Sequence, residues 1–81
     1  MFDKLDRLEN FFALDVAPVI ERGIESCNGS SYYFGRALVL EEPFVAKIWW
    51  MIDKLLRKHG TMSTEDLDEI RRGIKDAAEN S

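Results

Sequence analysis

The chain has 81 residues, 46% of them hydrophobic and 32% charged, and its eleven basic and fifteen acidic residues give a formal net charge of −4. That length fits one domain, residues 1–81, with a thin core, and the mixture of apolar and charged residues excludes a disordered chain. The acidic balance argues against a nucleic-acid binder built on clustered Lys and Arg, and because the basic residues are interspersed with the acidic ones, nucleic-acid mimicry gains no support either.

The first predicted element covers residues 2–14. Phe2, Leu5, Leu8 and Phe12 recur at intervals of three or four, with Phe11 beside them, and Asp3, Lys4, Asp6, Arg7 and Glu9 fill the opposite face. This is an amphipathic helix pattern. The second element begins near Pro18, since proline suits the first turn of a helix. Val16, Ile20, Ile24 and Cys27 form its apolar seam, and Asn28-Gly29-Ser30-Ser31 ends it, because Asn and Gly tolerate the left-handed backbone that closes helices.

The third segment, residues 32–40, is ambiguous. Tyr32, Tyr33, Phe34, Val39 and Leu40 have strand propensity, but they do not alternate with polar residues and Gly35 sits among them. The chain offers no convincing strand to pair with, so a helix is favoured here over a strand or irregular chain. The fourth element is the clearest. Glu42-Pro43 marks its start, Val45, Ile48, Trp49, Ile52, Leu55 and Leu56 supply an apolar face, and Gly60 closes it after Arg57, Lys58 and His59, whose charge complements the helix dipole. This helix is expected at the centre of the core. The fifth starts at Ser63, with Asp66 three residues on imitating a capping box. Leu67, Ile70, Ile74 and Ala77 line its narrow seam, and Asp68 and Arg72 are spaced to pair. The fold class is therefore all-α: a small helical bundle of three long helices plus one or two short segments.

The stretch Gly60-Thr61-Met62-Ser63-Thr64-Glu65-Asp66-Leu67 invites three functional readings. As an EF-hand it would place Leu55, Arg57 and His59 at positions that need oxygen ligands, which rules out calcium. As part of a helix-turn-helix it would direct the acidic start of its last helix at phosphates. Residues 51–67 are also similar in rhythm to a helical hairpin of β-type chains in nitrile hydratase-like enzymes. That resemblance implies a non-catalytic small subunit whose partner supplies the chemistry, although any two antiparallel helices joined by a capped turn share the rhythm.

No residue group announces catalysis, a metal or a cofactor. His59 is the single histidine and reads as a helix-end charge, since metal sites need several convergent ligands. Cys27, the single cysteine, reads as a seam residue with no disulfide partner, which suits a reducing compartment. Glu41 and Glu42 read as helix-start residues. Gly23, Gly29 and Gly35 lack the spacing of a phosphate loop. The N-terminus carries charge where a signal peptide needs apolar residues, and the apolar run 48–52 is far shorter than the roughly 20 residues of a membrane span. A cytoplasmic, non-membrane protein is expected.

The paired aromatics carry the functional expectation. Adjacent helical residues diverge by about 100°, so Trp49 and Trp50 cannot both lie on one seam. The leading reading is a non-enzymatic protein-binding module (an inhibitor, adaptor or regulator of a larger assembly), working through Trp50, Phe12, Tyr32 and Tyr33 because Trp and Tyr dominate interface hot spots. The partner is another protein, a second copy, or both. The alternatives are the enzyme small subunit and, with least support, a nucleic-acid-directed regulator.

Overall fold

The computed structural model describes residues 16–80, which form five helices and no strand: α1 (Ala17–Ser26), α2 (Ser31–Glu41), α3 (Pro43–Lys47), α4 (Trp49–His59) and α5 (Thr64–Glu79). The helix predicted over residues 2–14 lies outside the described residues. An all-α bundle is what the periodicity demanded, and the local signals explain most boundaries. Pro18 stands in the first turn of α1. Beyond its last turn Asn28 and Gly29 take positive φ, 59° and 79°, which brings the Gly29 N–H back to donate to the Ile24 carbonyl at 2.9 Å. Gly60, at φ 64°, closes α4 in the same left-handed conformation.

The ambiguous segment is helical, and its cap resolves it. Ser30 Oγ accepts from the Tyr33 N–H at 3.2 Å, a bond worth about 1 kcal/mol. Ser63 does the same for α5, accepting from the Asp66 N–H at 3.2 Å. Ser30 and Ser31, read from sequence as loop residues, are thus the cap and first residue of α2.

Two further expectations are revised. The predicted fourth helix is broken at Ile48, whose backbone sits in the bridge region at φ −96°, ψ 8°. No proline or glycine marks the break; two packing demands meet there, with Val45, Ala46 and Ile48 half-buried along the edge of the core and Trp49 wholly inside it. Asp68 pairs not with Arg72 but with Arg57 across the α4–α5 turn, at 2.6 Å, while Arg72 turns to Glu69 at 3.1 Å.

Ala17, Ile20, Leu38, Trp49, Ile52, Leu56, Met62, Leu67 and Ile70 form one buried cluster. Leu56, Leu67 and Ile70 are its fully enclosed members, each contributing about 1.5–3 kcal/mol by burial. The α4 residues Trp49, Ile52 and Leu56 reach its interior, yet the most extensive helix pairing is α2 against α5. That pairing rests on two glycines. A Cβ at Gly35 would collide with the Ile70 carbonyl and stand 3.0 Å from the Ile74 nitrogen; one at Gly73 would collide with the Tyr32 carbonyl and stand 3.0 Å from the Arg36 nitrogen. Each glycine lets the other helix's backbone approach directly.

Candidate protein-contact surface

The first two residues of α4 face opposite environments. Trp49 opens α4 facing inward and is 3% exposed; Trp50, one residue on, is 70% exposed. Beside Trp50 runs an open groove of about 210 Å³. Ala46, Trp49 and Ile74 supply its apolar surface, and Lys47, Arg71 and Lys75 its charges. Arg71 and Lys75 are one turn apart on α5, so both reach the same side as Ile74. None of the three cations is paired with a carboxylate among the described residues. A chain with net charge −4 therefore presents a wholly cationic rim around an exposed indole ring.

The tyrosines lie elsewhere. The Tyr32 hydroxyl donates to Asp76 Oδ2 at 2.5 Å, and the guanidinium groups of Arg36 and Arg72 stand 6.0 and 5.9 Å from its ring centre, at the reach of a cation–π attraction. Tyr32 is half-buried by this bracing of α2 on α5. Tyr33 is exposed and meets Tyr32 edge to face at 5.5 Å. Neither tyrosine lines the Trp50 groove. Phe12 lies outside the described residues. The structure therefore places Trp50 and Tyr33 in separate exposed patches and gives Tyr32 an internal hydrogen bond.

A second groove, of about 300 Å³, opens between α1 and α2. Cys27, Phe34, Ala37 and Leu38 give it an apolar lining, and Glu41 and Glu42 stand at its margin. Leu40 and Phe44, both largely exposed, flank the two glutamates in sequence. Read from sequence, Glu41 and Glu42 take a helix-start role, although Glu41 ends α2, and Lys47, Arg71 and Lys75 take no contact role; the four-residue spacing of Arg71 and Lys75 was the one signal present.

The buried charge of the described region is structural. Asp53 is buried, and its Oδ2 accepts from Arg57 Nε at 2.9 Å, while Arg57 also donates to Asp68. The hydrogen bond to Asp53, and secondly that to Asp68, raises the guanidinium's pKa above its ordinary value, so Arg57 stays cationic where it joins α4 to α5. Asp53 Oδ1, Trp49 Nε1 and Thr61 Oγ1 are buried without a hydrogen-bond partner. Asp53 lines neither groove. Among the described residues no cluster of three His, Cys, Asp or Glu side chains could hold a metal ion, and no helix is long and apolar enough to cross a membrane.

Compared with known proteins, the chain matches no family model, no curated protein and no solved structure.

Proposed function

We propose that this chain is a non-enzymatic protein-binding module, an adaptor, inhibitor or regulator that acts through its exposed aromatic surface. The observation that carries the reading is Trp50, 70% exposed above an apolar groove rimmed by Lys47, Arg71 and Lys75. Leaving an indole in water forgoes the burial energy that a core position would supply. Covering it with a partner recovers that energy, and central tryptophans ringed by polar groups are frequent interface hot spots. Tyr33 forms a second, separate exposed contact. A reducing, cytoplasmic setting suits the lone half-buried thiol of Cys27.

The test compares Trp50→Ala with the wild type. Helicity by circular dichroism should be unchanged and stability should move by no more than about 0.5 kcal/mol, as for a surface substitution. A partner captured from the native host, then purified and titrated against both forms, should bind Trp50→Ala at least about tenfold more weakly, equivalent to about 1.4 kcal/mol. Unfolding of the variant, or equal affinity of both forms, would refute the reading.

A further inference from the structure

Two grooves among the described residues have margins of opposite sign. One holds Glu41 and Glu42 beside Phe34, Ala37, Leu38 and Cys27; the other holds Lys47, Arg71 and Lys75 beside the projecting ring of Trp50. Neither glutamate is in an ion pair among the described residues, and neither are the three cations. The acidic groove, at about 300 Å³, offers room for a side chain and not for a helix. Its lining is apolar, as an indole ring requires. Among the described residues, the Trp50 ridge combines an exposed apolar ring with charges opposite to those of this groove.

We propose that the partner covering Trp50 is a second copy of this chain, whose α1–α2 groove receives the indole ring while its Glu41 and Glu42 face Lys47 and Lys75. This rests on the reading of Trp50 as a contact residue and deepens it by naming the occupant. Opposite charges flanking an apolar insertion fix the orientation of docking and disfavour like-on-like contacts. One ridge in one groove is a small interface, at the weak end of the range for specific contacts. A two-fold arrangement uses the ridge and groove of both copies and doubles it, whereas a head-to-tail arrangement propagates into longer assemblies. In either case the association depends on concentration.

Sedimentation velocity of the full chain over a wide concentration range tests this. The wild type should gain mass as concentration rises. Trp50→Ala should stay folded and sediment as a monomer throughout. The double variants Glu41→Lys/Glu42→Lys and Lys47→Glu/Lys75→Glu should each associate at least about tenfold more weakly alone, because each sets like charges against like. An equimolar mixture of the two should associate again, since the reversed charges match across one contact; a merely structural role for these residues would not produce that rescue. A wild type that is monomeric at every concentration, or a mixture that stays monomeric while the wild type associates, would overturn the proposal. So would a monomeric wild type that binds phosphatidylserine vesicles through Trp50 and Lys47, which would assign the cationic ridge to a lipid surface. In those cases a folded Trp50→Ala leaves the wider reading of Trp50 standing, whereas an unfolded one removes that reading as well.

Discussion

Where α5 crosses α2, the two backbones touch; where it runs beside α3 and α4, large side chains stand between the helices and a groove opens. At the crossing, Gly35 and Gly73 each face the other helix's main chain, and nothing larger than hydrogen fits. Along the other side, Trp49, Ala46 and Ile74 fill part of the space and leave about 210 Å³ under Trp50. The first region is specified by what is missing from two side chains, the second by what two adjacent rings do. Close backbone packing therefore marks the α2–α5 crossing, and an open groove marks the α3–α4 edge.

The largest effect should come from the aromatic side. Trp49→Ala removes a ring from the buried cluster and should cost about 3–5 kcal/mol, a large share of the roughly 5–15 kcal/mol that holds a domain together. Urea denaturation should show the loss directly. Trp49→Phe should cost less than the alanine variant, because it keeps most of the apolar ring and removes the buried indole N–H that has no partner. Equal losses for the two variants would mean that the ring is not packed as described.

The glycine crossing should respond next. Gly73→Ala, and Gly35→Ala likewise, each force a methyl group into a facing carbonyl, an overpacking that typically costs 1–3 kcal/mol (about 4–8 °C in Tm for each kcal/mol in a domain of this size). Main chain cannot swing aside as a flexible side chain can, so α2 and α5 must move apart. That movement makes room at both sites together. The double variant should therefore lose clearly less than the sum of the single losses, as expected for residues sharing one contact. Strict additivity in thermal melts would show that the two glycines act independently and that no common crossing exists.

Much of this architecture was legible from one-dimensional signals, because those signals act locally. Pro18, Asn28, Gly29, Gly60 and Ser63 mark helix ends through their own backbone or side-chain chemistry, and the residues found there obey it. The outward position of Trp50 follows from the angle between neighbours on a helix. What stayed hidden depends on pairs distant in sequence. A glycine inside a helix reads as a defect worth about 1 kcal/mol until the facing backbone is known, so neither Gly35 nor Gly73 disclosed that α2 and α5 would be the dominant pair. Asp68 pairs with Arg57 across a turn in preference to Arg72 at the helical spacing. The cationic ridge is assembled from α3 and α5, and the acidic groove from α1, α2 and the residue that follows α2, so no single stretch of sequence spells out either one.

Gly23 offers the finest separation between a glycine that is required and one that is only present. A Cβ there would collide with the Phe34 ring, as the added carbons at Gly35 and Gly73 collide with carbonyls, but the obstacle is the far edge of a side chain. Phe34 is half-buried at the margin of the core and borders the open α1–α2 groove, so its ring has space to turn into. Gly23→Ala gains roughly 1 kcal/mol of helix propensity in α1, and displacement of the ring offsets about 0.5–1.5 kcal/mol of that gain if it is pushed off its rotamer. The net change should lie within about 1 kcal/mol of zero, with no fall in Tm comparable to that of Gly73→Ala. A loss as large as the Gly73→Ala loss would show that Phe34 is held as firmly as a backbone. The groove it borders could not then open to admit a partner's ring, so this small substitution also probes whether the acidic groove can adapt to an indole.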